Sequence, residues 1–218
     1  MSINTCNENV FGHVNSFFFV LFMIKIIVLG DTNVGKTNTI YRYVNNKNPN
    51  IVTSTIGVEF FVKEFKHNEN IYPIYIWDTA GQERFKSIIS TYFRNQDCAI
   101  IFFDLTNYTS FLNLEDWLIE LRKKSNNKKS CVFIIGNKKD LVSKNNEIIS
   151  YSQMDTLLEK YPEIIGFKFV SALTGENVDE SLDDIVKITI DKTPNVESRT
   201  KYIEINEKGK KKRKCACN

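Results

Sequence analysis

One octapeptide constrains the fold more than any other stretch of the 218 residues: Gly30-Asp31-Thr32-Asn33-Val34-Gly35-Lys36-Thr37. It fits the spacing G-x-x-x-x-G-K-[ST]. The β-branched run Lys25-Ile26-Ile27-Val28-Leu29 leads into it, and the helix-compatible Thr39-Ile40-Tyr41-Arg42-Tyr43-Val44 follows. A strand that feeds a glycine-containing turn and then a helix makes a phosphate cradle. Glycines let consecutive backbone N–H groups turn inward, and the helix N-terminus adds partial positive charge. In such a cradle Asp31, Thr32, Asn33, Val34 and Gly35 line the phosphates. Lys36 reaches the β- and γ-phosphates, and the Thr37 hydroxyl is a Mg²⁺ ligand. The alternative is a chance match in an ordinary turn, against which the strand–loop–helix context stands.

From residue 25 the chain alternates strand and helix patterns. Strands are expected at 25–29, 58–66, 71–77, 98–104, 131–135 and 166–170, and helices at 36–46, 85–94, 111–125, 151–160 and 177–190. Only 58–66 and 71–77 lack an intervening helix, so they form an antiparallel hairpin. The other connections read as right-handed βαβ crossovers, giving a mostly parallel sheet covered on both faces. Ligands in such sheets bind at the carboxyl ends of the strands.

Residues 17–24 are an apolar run that includes Phe17-Phe18-Phe19. It is too short to span a membrane, and residues 1–16 lack the basic leader of a signal peptide. The favoured reading is an apolar arm extending into the first strand, with membrane or partner contact as the lesser alternative. The chain thus divides into an N-terminal extension at 1–24, one domain at 25–190 and a polar tail at 191–218.

The net charge of +3 belongs to that tail. Six of the seven residues from 208 to 214 are basic, leaving 23 basic against 26 acidic residues elsewhere. The folded body is therefore not a nucleic-acid-binding surface by composition. Cys98 and Cys131 lie in apolar runs and read as buried thiols. With no C-x-x-C pair and only His13 and His67, neither a zinc site nor a disulfide framework is expected.

Two further motifs follow predicted strands. Asp78-Thr79-Ala80-Gly81 ends Ile74-Tyr75-Ile76-Trp77. There Asp78 can hold Mg²⁺ through water, Gly81 can offer its N–H to a γ-phosphate, and Gln82 can orient an attacking water. Asn137-Lys138-Lys139-Asp140 ends the strand at 131–135. A carboxylate at Asp140 accepts from guanine N1–H and N2–H₂, donors that adenine lacks there. Left unpaired beside adenine it costs about 1–3 kcal/mol or more. The Lys138 stem can cover the base, and Ser171-Ala172 can present a backbone N–H to the base oxygen. Each tetrapeptide alone is an ordinary turn; their placement after strands argues otherwise.

With these motifs in this order, the sequence resembles the Ras superfamily of small GTPases and, within it, the Rab family. The resemblance spans about residues 24–190 and the C-terminal cysteines. Its Rab-like features are Ile56-Gly57-Val58-Glu59-Phe60, Ile76-Trp77-Asp78-Thr79-Ala80-Gly81-Gln82-Glu83-Arg84-Phe85, Tyr92-Phe93-Arg94 and Phe103-Asp104-Leu105-Thr106. It implies an α/β fold, the small G domain of the P-loop NTPases: a six-stranded, mostly parallel sheet with one antiparallel strand and helices on both faces. It implies a GTP/GDP switch with Mg²⁺ that hydrolyses GTP slowly and regulates vesicle trafficking, with Gln82 and Lys36 as catalytic residues. Thr55 is then the threonine that binds Mg²⁺ and senses the γ-phosphate. Phe60, Trp77 and Tyr92 match the aromatic triad shown to effectors; on burial grounds alone they would be core or hairpin-packing residues. Expected partners are effectors, an exchange factor, a GTPase-activating protein, a GDP-dissociation inhibitor and the prenylation machinery.

Four positions depart from the family pattern. Asn48 stands where an aromatic packs on guanine, and Leu173 replaces a Lys. Asn33 replaces a common Gly, and Asn95-Gln96-Asp97 follow Arg94 where Gly-Ala is usual. The first two predict faster nucleotide exchange. The ending Cys215-Ala216-Cys217-Asn218 fits C-a-a-X loosely and resembles paired prenylated cysteines. Lipid plus a polybasic stretch supplies the two signals of stable anchoring, on the cytoplasmic face of an intracellular membrane with cycling to cytosol. The competing functions are an adenine-specific P-loop ATPase or kinase, which Asn137 and Asp140 argue against, and a non-hydrolysing scaffold, which intact Lys36, Thr37, Thr55, Asp78 and Gln82 argue against.

Overall fold

The computed structural model describes residues 19–21, 23–48, 57–79, 93–126, 130–142, 149–193 and 201–203. Six strands form one sheet in the order β3-β4-β2-β5-β6-β7. They are β2 (Ile24–Gly30), β3 (Val58–His67), β4 (Asn70–Thr79), β5 (Cys98–Asp104), β6 (Cys131–Asn137) and β7 (Ile164–Phe169). All neighbours run parallel except β3 and β4. That hairpin turns at Asn68, whose φ of 53° is left-handed and suits a short polar side chain.

Apolar residues alternate strictly between the faces. Ile26, Val28, Ile100, Phe102, Phe133 and Ile135 pack under α1 (Lys36–Asn45) and the last helix, α5 (Val178–Lys192). Ile27, Leu29, Ile101, Phe103 and Ile134 pack under α2 (Tyr108–Leu112), α3 (Leu114–Lys124) and α4 (Tyr151–Lys160). Both faces are thus covered, and the loops that leave the carboxyl ends of β2, β5 and β6 are anchored on buried strands.

Three details differ from the sequence reading, and a fourth expectation lies outside the described residues. The helix expected at 111–125 starts earlier, where Asn107 caps it by accepting from Thr109 N–H, and it breaks at Asn113. Strand β7 begins at Ile164 rather than 166; Val132 pairs with Ile164 and Phe133 with Gly166, so Ile165 is an inserted residue that bulges the edge strand. The apolar arm is not continuous with the first strand: a separate β1 (Phe19–Leu21) pairs antiparallel with β8 (Lys201–Ile203), which lies in the expected polar tail. The helix expected at 85–94 falls outside the described residues except for 93 and 94, which lie in a turn.

Asn95-Gln96-Asp97, where the resemblance had Gly-Ala, bolt the opposite edge of the sheet. Asn95 takes a φ of 55° and exchanges hydrogen bonds with Asn126, and Gln96 donates to Ser125. Asp97 accepts from Lys25 N–H through its carboxylate at 2.9 Å. Cys98 and Cys131 are buried thiols in register on neighbouring strands. No helix among the described residues is long and apolar enough to cross a membrane.

Candidate functional site

The carboxyl end of β2 turns into the phosphate loop at Gly30. Its φ of 130° fits only glycine, and a Cβ there would lie 2.3 Å from the Phe102 carbonyl oxygen on β5. Asn33 takes a φ of 64°, which explains why asparagine stands in for glycine. Gly35, at 90°, caps α1; a Cβ there would meet Asn137 Nδ2 at 2.1 Å. The loop is therefore a close-packed cradle that side chains would fill.

Lys36 is only 6% exposed. Its ammonium donates to the Gly30 carbonyl at 2.9 Å and to the Asp31 carbonyl at 2.7 Å, so it lies across the cradle. Burial pushes its pKa down to about 8, against the opposing pull of Asp78 and Asp31. Thr37 donates its hydroxyl to Asp78 Oδ2. Asp78 is fully buried near the end of β4, and parallel pairing sets it against Val28. A hydroxyl and a carboxylate side by side are hard oxygen donors of the kind Mg²⁺ takes.

The sequence reading missed what holds the loop from outside. The Asp31 carboxylate accepts from Asn113 Nδ2 at 2.7 Å and from Trp117 Nε1 at 2.8 Å. The break between α2 and α3 puts Asn113 there. No local sequence signal marks this pairing, because its partners lie 82 and 86 residues away.

The base side is built on the ends of β6 and β7. Asn137 is a hub: its amide donates to the Val34 carbonyl at 2.9 Å and accepts from Ala172 N–H at 3.0 Å. It ties the phosphate loop to the loop after β7. Of the Ser171-Ala172 N–H groups, one of which was expected to serve a base oxygen, that of Ala172 is thus engaged by Asn137 and that of Ser171 by the Glu176 carbonyl. Lys138 has a φ of 66°, and its ammonium pairs with Asp104 at 2.6 Å. Burial works to raise the Asp104 carboxyl, but Lys138 and two bonds from Thr106 prevail and hold it below the usual range. Asp140 is exposed, and its carboxylate accepts from the buried Ser171 hydroxyl, which also takes the Thr174 N–H. Leu173 is 68% exposed beside it.

The structure therefore brings Lys36, Thr37 and Asp78 together at one end of the sheet, with Asn137, Lys138, Asp140, Ser171, Ala172 and Leu173 on the neighbouring strand ends. Thr55, Gly81, Gln82, Tyr92, Cys215 and Cys217 lie outside the described residues. On the β3–β4 hairpin, Phe60 is 49% exposed and packs edge-on against Trp77 at 4.9 Å and stacked on Tyr75 at 5.5 Å. It is a surface aromatic, not a core residue. Trp77 is half-buried, with the Lys25 ammonium 4.9 Å over its ring.

A family model described as the Ras family matches residues 25–191. Among curated relatives, the Ras-related protein Rab-27B of Bos taurus is 32% identical over 216 residues, covering 90% of this chain and 97% of its own length. The Ras-related protein Rab7 of Pisum sativum is 36% identical over 168 residues, covering 76% and 81%. RABG3f of Arabidopsis thaliana is 35% identical over 168 residues, with the same coverage.

Proposed function

The chain belongs to the Ras family, as a Rab-like small GTPase, and from that premise we propose how its residues divide the work of a guanine-nucleotide switch. It binds guanine nucleotide and hydrolyses GTP, and it acts in vesicle trafficking. The observation that carries the assignment of residues is the convergence, at one end of the sheet, of the buried Lys36, the Thr37–Asp78 pair and the exposed Asp140.

Lys36 places a fixed positive charge against the β- and γ-phosphates, in a cradle lined by the backbone of Asp31, Thr32, Asn33, Val34 and Gly35. Thr37 and Asp78, with Thr55, would hold Mg²⁺, which when bound neutralises phosphate charge. Asp140 accepts from the guanine edge, with its carboxylate steered by Ser171; Asn137 fixes the loop bearing Ala172 and Leu173. Gln82 orients the attacking water, and Gly81 senses the γ-phosphate. Catalysis is then positioning plus charge stabilisation, with little covalent work for the protein.

Phe60, Trp77 and Tyr92 present the nucleotide state to effectors. An exchange factor, a GTPase-activating protein and a GDP-dissociation inhibitor act on the same cycle. The basic tail with Cys215 and Cys217 anchors the protein, once prenylated, to the cytoplasmic face of an intracellular membrane. Single-turnover hydrolysis of GTP by the Gln82→Leu protein tests the catalytic assignment. Hydrolysis should slow by about 10-fold or more with GTP affinity kept; unchanged hydrolysis would remove Gln82 from the reaction. Fractionation of Cys215→Ser/Cys217→Ser protein tests the anchor: it should move to the soluble fraction, and full membrane retention would shift the anchor to residues 17–24.

A further inference from the structure

Arg42, in the last turn of α1, makes four hydrogen bonds away from its own helix. Nη1 donates to the Ala172 carbonyl at 3.2 Å, the Leu173 carbonyl at 3.0 Å and the Asn48 side-chain oxygen; Nη2 donates to the Thr174 carbonyl at 3.0 Å. Three consecutive carbonyls of the loop after β7 thus converge on one guanidinium 130 residues away in sequence. No carboxylate among the described residues takes part, and the charge is met by backbone dipoles that a planar fork of donors can gather at once. Gly175 completes the arrangement. Its φ is 90°, and a Cβ there would stand 2.4 Å from Arg42 Nη2 and 2.7 Å from Cζ.

We propose that Arg42 is a positioning residue: it latches the loop 172–175 to α1 and to Asn48, and so sets both how long guanine nucleotide is held and how strictly the base is read. The route to the base is short. The Thr174 N–H donates to the Ser171 hydroxyl, which donates to the Asp140 carboxylate. Releasing Thr174 frees that hydroxyl to turn, and the carboxylate loses its steer. This inference rests on the assignment of Asp140 to guanine.

The test measures release of fluorescent GDP and IDP from wild type, Arg42→Ala, Arg42→Lys, Gly175→Ala and Asn48→Ala, with thermal melts of each. IDP lacks the N2 amine that Asp140 reads. Wild type should release IDP faster than GDP; equal rates would sink the Asp140 assignment itself, and the latch with it. Given that difference, Arg42→Ala should speed GDP release about tenfold and narrow the GDP-to-IDP ratio. The factor by which chelating Mg²⁺ accelerates release should stay unchanged. Arg42→Lys and Asn48→Ala should fall between, and Gly175→Ala, which evicts the guanidinium while keeping it, should match Arg42→Ala. An unchanged GDP rate, or faster release with the GDP-to-IDP ratio intact, would overturn the latch and leave Arg42 a residue of fold stability only.

Discussion

The phosphate half and the base half of the site are made by different physics. The phosphate half is set by backbone: positive-φ glycines with no room for a Cβ, a buried lysine bonded to loop carbonyls, and an aspartate buried near a strand end. The base half is assembled from side chains joined by polar ties that run between the surface and the interior: exposed Asp140 to buried Ser171, Lys138 to buried Asp104, Arg42 to three carbonyls and Asn48. Close packing admits few solutions and tolerates little change. Polar ties each contribute about a kilocalorie and can be traded singly. Binding is therefore hard to lose gradually on one side and easy to tune on the other.

Gly35→Ala should break the difference most severely. Its Cβ would strike Asn137 Nδ2, the hub joining both halves, at a φ that disfavours alanine. GDP affinity should fall about 100-fold or more by calorimetry; a wild-type value would mean the phosphate half is not fixed by packing. Asp140→Ala should weaken GDP about tenfold and IDP by less, since IDP keeps N1–H but lacks the N2 amine, read from paired titrations. Equal losses would place the base contact elsewhere.

A proton sharpens the comparison further, because among the described residues only the phosphate half contains a strongly buried cation. Lys36 titrates at about 8 in the fold against 10.5 in a free chain. The unfolded chain keeps that proton where the fold has begun to lose it, so without nucleotide the fold gains stability as pH rises from about 8 to 10.5. Phosphates beside Lys36 restore its charge, so binding takes up a proton and weakens as pH climbs through 8. Calorimetry at pH 8.5 in two buffers of different ionisation enthalpy should record fractional proton uptake, absent in Lys36→Arg. The smallest effect belongs to the base half: Asn48→Phe loses the tie to Arg42 but gains an aromatic contact worth more, and should slow GDP release about fivefold. An unchanged rate would mean the departure at residue 48 does not set exchange.

What could be read from the sequence was whatever is local. Lys25 to Leu29 announces a buried strand because its β-branched run is continuous, and Gly30 to Thr37 announces its turn because the chemistry needs that spacing. The six-stranded sheet with one antiparallel strand followed from those alternations. Long-range ties left no such mark. Asn113 looked like a helix interior residue, yet its amide is drawn to Asp31 and the helix breaks there. Arg42 sits in a helix-compatible segment that carries no mark of its partners, which lie 130 or more residues on. Ile165 lay outside the strand expected at 166–170, and only the register with β6 shows it as a bulge. Phe60 alternates like a core residue but packs on Tyr75 and Trp77 at the surface, a choice that hydrophobic periodicity does not make.

The most direct measurement is the identity of the nucleotide the protein carries. Protein purified natively with Mg²⁺ is denatured, and the released nucleotide is identified and counted by chromatography. GDP or GTP at close to one per chain is the expected result, since Asp140 accepts from a guanine edge and Lys36 holds the phosphates. Adenine nucleotide at that stoichiometry, or a protein that stays empty even after incubation with excess GTP, would contradict it.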